Sequence, residues 1–232
     1  MLYHRRHAEL VSASTRRSRN KFGMTIILLI SLILTSCTTE VTLTVQKDDS
    51  VSIEFEGGAG KAFAKMISSA AGLGGSSDGS GEAGDLIIDT DSVFYELAKA
   101  GFSDVNVNQK KGGPVSISMK DKKQSSYIFS SKIVKAEKGK LSSAITRKSL
   151  EDFYNSSDEQ TRMILDLFLA PVFNNEEMSE EEYMEMVGAF YGEGAAKEVS
   201  ESFVKINLIS KDGTKETQSI PLTQLLCGNF NY

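Results

Sequence analysis

Apolar and polar residues alternate with a period of two in several segments of this chain of 232 residues. Such alternation is typical of strands that bury one face of a sheet. An Asp-Gly pair near the C-terminus is a hairpin signal, and Pro221 predicts the end of the last strand because proline lacks the N–H that an interior strand donates. The predicted strands lie within 38–56, 105–107, 115–119, 127–134 and 203–220.

Helical spacing replaces this alternation in other segments. From Ser149 onwards, apolar residues recur at intervals of three and four positions, which is typical of amphipathic helices. Ser157 with Gln160 and Ser179 with Glu182 fit capping boxes, which mark helix starts. Strands and helices together predict an α+β fold, in which an antiparallel sheet of about five to seven strands carries helices packed on one face.

Glycine-rich segments interrupt the predicted elements twice. Glu56–Lys61 invites comparison with a phosphate-binding loop, but Phe55 stands where the first glycine is required and Ala62 where magnesium needs a hydroxyl. We therefore interpret this segment as a strand-to-helix turn. Gly72–Gly84 holds six glycines and three serines in 13 residues, which predicts a flexible loop within one domain.

The longest apolar run of the chain is Thr25–Leu34, and a basic segment precedes it. An α-helix of this length spans roughly 15 Å, about half of the ~30 Å hydrocarbon core, so the run is too short to cross a bilayer. It has the length of the apolar region of a secretory signal peptide.

The run ends in Leu34-Thr35-Ser36-Cys37, which is an aliphatic residue, two small residues and a cysteine. This segment resembles the lipobox of bacterial lipoprotein signal peptides at all four positions. The resemblance implies that residues 1–36 are cleaved, that a diacylglyceryl group joins the Cys37 thiol, and that residues 37–232 form the mature domain. Two or three acyl chains, each contributing about 0.8 kcal/mol per buried methylene, would anchor that domain stably.

The same resemblance implies a place in the cell. The mature domain is expected to be lipid-anchored to the cell membrane or the outer membrane, facing the periplasm or the exterior. Residues 1–37 carry six basic residues and one acid, so residues 38–232 account for −10 in a chain of net charge −5. An acidic domain argues against a nucleic-acid partner and against electrostatic attraction to anionic lipid headgroups.

Groups that commonly support catalysis are scarce after the lipobox. Both histidines, His4 and His7, precede it, which excludes His-dependent nucleophilic catalysis by the mature domain alone. Once Cys37 is acylated, Cys227 has no partner for an intrachain disulfide, and its apolar neighbours predict a small buried side chain. The pattern indicates no cofactor or metal ligands, and we do not expect an enzyme.

Two groups of acidic residues have alternative interpretations. The cluster between Glu176 and Glu185 fits a solvated helix start, where carboxylates favour the positive end of the helix dipole, and calcium binding is the alternative. Asp85, Asp89 and Asp91 could form a catalytic carboxylate group. Asp91 is also explained as the N-cap of a helix that Gly101 ends.

Six methionines of the mature chain suit either an ordinary core or an adaptable apolar cavity that an acyl chain would fit. They are Met66, Met119, Met163, Met178, Met184 and Met186. The mature chain is therefore predicted to be an extracytoplasmic binding or assembly module for a protein partner or an apolar ligand. A structural envelope protein without a small ligand is the alternative, and a hydrolase that uses carboxylates is a third hypothesis. A cavity of about a few hundred Å³ would favour the first, and a filled core the second.

Overall fold

A computed structural model describes residues 38–58, 60–62, 64–65, 88–110, 113–156, 162, 165–166, 169 and 178–228. The strands are β1 (Thr38–Val45), β2 (Val51–Gly57), β3 (Ser103–Gln109), β4 (Val115–Asp121), β5 (Val134–Glu137), β6 (Lys140–Ser143), β7 (Phe203–Ile209) and β8 (Lys215–Pro221). The helices are α1 (Thr90–Lys99), α2 (Tyr127–Ser130), α3 (Arg147–Ser156), α4 (Glu180–Tyr191), α5 (Glu193–Ser200) and α6 (Leu222–Cys227). The apolar run, the lipobox, the Gly72–Gly84 loop and the capping box of Ser157 and Gln160 lie outside the described residues.

Six strands form one sheet in the order β3-β4-β2-β1-β7-β8, and β5 pairs with β6 in a separate sheet. Neighbouring strands are antiparallel except β1 and β7, which run parallel from the pair Thr38–Phe203 to the pair Thr44–Ile209. The predicted α+β fold is confirmed. The parallel pair is the departure from the prediction. β7 follows β1 only after five other strands and several helices, and such a long connection allows a parallel pairing that a tight turn does not.

The two faces of the large sheet differ in polarity. One face is apolar and buried, and includes Leu43, Ile53, Ile117 and Leu208. The helices bury their own apolar side chains in the same core, among them Leu97, Phe153, Tyr183, Val199 and Leu226. The alternate positions of the strands carry mostly Thr, Ser, Asn and charged residues, with Phe203 and Ile209 of β7 as apolar exceptions, so the period of two in the sequence assigns most strand residues to the correct face.

Several local predictions are confirmed in detail. The capping box at the start of α4 is present, because Glu182 N donates to Ser179 Oγ at 3.2 Å and Ser179 N donates to Glu182 Oε2 at 2.9 Å. The hairpin predicted over 38–56 is the β1–β2 pair. β8 ends at Pro221 and forms an edge of the sheet, where a missing N–H is tolerated.

Two local predictions are wrong. The strand expected over 127–134 begins instead with the single turn of α2, and Lys132 adopts a φ of +64° before β5 starts. Asp91 is not the cap of α1. Asp89 is the residue with an extended backbone in front of the helix, and its carboxylate accepts a hydrogen bond from Ser92 N at 3.1 Å, which leaves Asp91 inside the first turn.

Candidate functional site

The apolar core contains a cavity of about 140 Å³ between the large sheet and a segment that lies across it. This covering segment comprises residues 126–134, which include α2 and the start of β5, and residues 143–145. The lining surface is entirely apolar among the described residues. The lining residues from the sheet and α6 are Val41, Leu43, Ile53, Phe55, Phe102, Met119, Val204, Ile206 and Leu225, and those from the covering segment are Ser126, Tyr127, Ile128, Ile133, Val134, Ser143 and Ile145.

Exposure of the lining residues shows where the cavity opens. Most of the floor is buried, and Leu43 and Val204 are each only 2% exposed. Val41 remains partly exposed although it lies on a central strand, and so do Ile128 and Ile145 of the covering segment. The opening therefore lies beside Val41, Ile128 and Ile145, at the covering segment.

The volume of the cavity decides what it can hold. An engineered apolar cavity of about 150 Å³ stays dry and binds benzene or xenon. Pockets that enclose a whole small molecule measure about 300–1,000 Å³. At about 140 Å³, this cavity accepts a group the size of a benzene ring or a few methylenes of an alkyl chain.

Of the two roles that the sequence allows for its methionines, core packing is the commoner among those described. Met119 lines the cavity, whereas Met178, Met184 and Met186 are partly buried against the core elsewhere. Met66 and Met163 lie outside the described residues. The lining consists mainly of branched aliphatic side chains, which are stiffer than methionine and hold the shape of the cavity.

Asp121 positions the covering segment. Its side chain is 3% exposed, and its carboxylate accepts hydrogen bonds from three backbone N–H groups. Oδ1 accepts from Lys123 N at 3.1 Å and Ser125 N at 3.2 Å, and Oδ2 accepts from Ser126 N at 2.8 Å. Because Ser126 directly precedes α2, these bonds fix the entry to the segment that covers the cavity. An aspartate at the end of a strand, followed by polar residues, is a sequence signal for such a turn, although we did not predict a turn here.

Asp121 also bears on the hydrolase hypothesis, which needs two acids close together in a cleft. It is the one buried acid among the described residues, and backbone groups occupy its oxygens. Asp89 caps α1, Asp91 is exposed, and Asp85 lies outside the described residues.

The acidic cluster is described from Glu180 onwards and forms the first turns of α4. Glu182 belongs to the capping box, and Glu180 Oε2 accepts a hydrogen bond from Thr223 Oγ1. Glu176 and Glu177 lie outside the described residues. Within the described ranges, no three Asp, Glu, His or Cys side chains are grouped as metal ligands would be.

Cys227 is buried, as the sequence predicts, with 3% of its surface exposed. Burial raises the pKa of its thiol to about 12, so the thiol stays protonated at neutral pH. Tyr183 is buried in the same region, and burial also raises the pKa of its hydroxyl. Both groups therefore belong to the packing between α4 and α6.

On the polar face of the sheet, one buried amide is fully used by its neighbours. Asn207 is 1% exposed; its Nδ2 donates to Glu40 Oε1 at 2.6 Å and Thr42 Oγ1 at 3.2 Å, and its Oδ1 accepts from Thr217 at 2.9 Å. Lys205 Nζ lies 3.1 Å from the Glu40 carboxylate. The hydrogen bonds from Lys205 and Asn207 lower the pKa of Glu40. Together these hydrogen bonds and the ion pair link β1 to β7, its parallel neighbour, and β7 to β8.

The glycine turn after β2 holds a carboxylate of the chain itself. Glu198 of α5 accepts a hydrogen bond from Ala62 N at 3.1 Å. A Cβ at Gly60 would lie 2.3 Å from the Glu198 carboxylate. The close approach of Glu198 therefore explains why residue 60 is a glycine. The Glu198 carboxylate lies where a phosphate-binding loop would hold its ligand, which supports the interpretation of this segment as a structural turn.

Replacing Gly60 by alanine is expected to lower the free energy of unfolding by about 1 kcal/mol, because the added Cβ displaces Glu198 from its hydrogen bond with Ala62. Urea denaturation measures the change. Gly194→Ala is the matched control, since a Cβ there would lie 3.5 Å from Ala62 in ordinary contact and alanine favours the helix. In a protein that already carries Glu198→Ala, the additional Gly60→Ala substitution should leave the free energy of unfolding unchanged. An equal loss of stability with and without Glu198 would contradict the explanation.

Cys37, the predicted lipid-attachment residue, lies outside the described residues, and β1 begins at the next position. The helices of the described ranges are all too short or too polar to span a bilayer. No protein family, no curated protein and no solved structure matches this chain.

Proposed function

We propose that this protein is a bacterial lipoprotein anchored by acyl chains on Cys37, and that its folded domain is an extracytoplasmic binding module. The lipobox residues support the anchor. The observation that supports binding is the apolar cavity of about 140 Å³ between the large sheet and the covering segment. It is smaller than the few hundred Å³ of a site that encloses a whole ligand, so it supports binding of one apolar group and not of a whole small molecule. The domain would capture an apolar group there, outside the cytoplasm and next to the membrane that holds it.

The apolar lining of the cavity favours an apolar occupant. The cavity is partly open, so its apolar lining remains without protein contacts on the open side. Burying apolar surface is worth about 25 cal/mol per Å². A bound apolar group restores contacts that the lining otherwise lacks.

The volume and the lining of the cavity favour the end of an acyl chain as that group. At about 140 Å³, an occupant must be small in cross-section as well as apolar. An alkyl chain meets both conditions and exposes no polar atom to the apolar lining. The cavity is too small to enclose a whole lipid, so the remainder of the ligand would extend past Val41 or Ile128.

Substituting Val41 by phenylalanine tests this proposal, because the larger side chain fills the cavity. The full-length protein is reconstituted in vesicles with a fatty acid that carries a photoreactive diazirine near its methyl end. Mass spectrometry then locates the cross-links. In the native protein we expect cross-links to lining residues such as Met119 and Ile128, and in Val41→Phe about a tenfold lower yield, since a filled cavity loses its affinity for alkyl groups.

Val107→Phe is the matched control. Val107 is also a partly buried strand residue that packs against the core, but it lies outside the cavity lining. Its cross-linking yield should stay near that of the native protein, and thermal melting confirms that both variants fold. Equal yields in the two variants, or cross-links that avoid the lining, would contradict binding at this site and favour a structural envelope protein. A second experiment replaces Ile128 by a photoreactive amino acid. If this residue cross-links to another protein and not to the fatty acid, a side chain of that partner is the occupant.

A further inference from the structure

We infer that one end of the large sheet lies against the bilayer and that Phe203 is inserted into the lipid there. This inference rests on the lipid anchor at Cys37 proposed above and adds an orientation and an interaction surface to it. We call this end of the sheet the anchor pole and define it by Thr38, Gly57, Phe203 and Pro221.

The first step is the length of the tether. β1 begins at Thr38, the residue after Cys37. Consecutive Cα atoms lie about 3.8 Å apart, so the acylated residue is at most one residue away from the sheet. β1 is also an inner strand, paired with β2 on one side and β7 on the other. No residue separates Cys37 from β1, so the bonds of Cys37 and of its acyl linkage are the only freedom between the sheet and the acyl chains, and a tether this short restricts how the domain can face the bilayer.

The second step concerns what lies beside the anchor. In the parallel register Thr38 pairs with Phe203, and Phe203 in turn pairs with Pro221 of β8. Phe203 is 41% exposed; Lys205 and Asn207 follow it on the same face of β7, and Ile209 lies on that face at the other end of the strand. Phe203 is therefore an exposed apolar side chain one strand away from the first residue after the anchor, where it is placed to insert into lipid.

The opposite end of the sheet carries polar and charged side chains. We call it the far pole and define it by the turns Lys47–Ser50 and Lys211–Thr214. Lys211 Nζ and Asp49 Oδ1 lie 2.6 Å apart and join these turns. Every side chain in both turns is polar or charged apart from Gly213. Phe203 and the charged turns therefore lie at opposite ends of the sheet, as a fixed orientation at a membrane requires; the other large exposed apolar side chains of the described residues, Phe94, Tyr95 and Phe190, lie on helices.

Charge does not supply this orientation. Residues 38–232 account for a net charge of −10, which opposes attraction to anionic headgroups. Insertion of an apolar side chain next to the acyl chains does not depend on the charge of the lipid headgroups. The orientation should therefore be the same on zwitterionic and on anionic vesicles.

Depth-dependent fluorescence quenching tests the orientation. In a Cys227→Ala background, Ser200→Cys places a label three residues before Phe203, and Asp212→Cys places one at the far pole; both positions are exposed. The acylated full-length protein is reconstituted in phosphatidylcholine vesicles that contain nitroxide-labelled lipid. We expect quenching at position 200 to exceed quenching at position 212 by about threefold, because the inserted face of a membrane-bound protein lies only about 5–10 Å deep.

Phe203→Ser should reduce quenching at position 200 by about half, and Phe203→Leu should retain it, since leucine also inserts into lipid. Phe190→Ser is the matched control, because Phe190 is 77% exposed but lies on α4. Thermal melting shows whether each variant folds. Equal quenching at positions 200 and 212 in protein that floats with the vesicles would overturn this inference alone. Protein that neither floats nor carries an acyl mass would overturn the lipid anchor and this inference with it.

Discussion

Cells grown with labelled palmitate are expected to label the native protein and to leave the Cys37→Ser variant without label. The lipobox resemblance places the acyl groups on the sulfur of residue 37 and on the amino group that cleavage creates there. A serine hydroxyl does not form the thioether, so neither lipidation nor the cleavage that follows it should occur. The variant should therefore keep residues 1–36 and lose the two or three chains that give stable anchoring.

Cys227→Ala is the control for this labelling experiment, since it removes the other cysteine of the chain. Cys227 is buried and its thiol has a pKa raised to about 12, so acylation there is not expected and the label should be unchanged. Intact mass measurement gives an independent result. A mature product that begins at residue 37 with acyl groups agrees with the proposal, whereas equal label in Cys37→Ser and native protein contradicts it.

Asp121→Ala should lower the free energy of unfolding by about 3 kcal/mol, because it leaves three backbone N–H groups without the charged acceptor that they share. These N–H groups belong to Lys123, Ser125 and Ser126, in the turn that leads into α2. Urea denaturation measures the loss. The same variant should reduce cross-linking of the fatty acid probe, since the covering segment depends on this turn.

Two further variants separate the role of Asp121 from a general effect of removing a carboxylate. Asp212→Ala deletes an exposed carboxylate that accepts from Thr214 N at 2.9 Å, and it should change stability by only about 0.5 kcal/mol. Asp121→Asn keeps one oxygen acceptor but directs an amide N–H towards a donor, so its loss should be intermediate. If Asp121→Ala were as mild as Asp212→Ala, the carboxylate would not hold the covering segment.

Two wrong predictions show what a local pattern cannot decide. Asp89 and Asp91 both fit the composition of a helix start, and only the extended backbone at Asp89 identifies it as the cap in place of the predicted Asp91. The apolar pattern over 127–134 predicts a strand, but the turn held by Asp121 starts α2 there instead. The first prediction has the helix right and its cap wrong, and the second has the wrong element before β5 begins at Val134.

The residues that the sequence analysis did not identify are joined by contacts between distant positions. Glu198 and Ala62 are 136 positions apart, and Asn207 and Glu40 are 167 positions apart. No periodicity within a segment indicates which distant segment it will meet. The explanation of Gly60 and the polar group at Asn207 therefore required the folded chain.

The sequence by itself determined the alternation that assigns strand residues to a buried or a polar face, the capping box of α4 and the burial of Cys227. These features follow from steric and hydrogen-bonding rules that act within a few residues. Only the tertiary structure decided the parallel pairing of β1 with β7, the cavity under the covering segment and the position of Phe203 beside Thr38. They depend on how separate elements pack together, because a cavity is the space that the side chains of several elements leave unfilled.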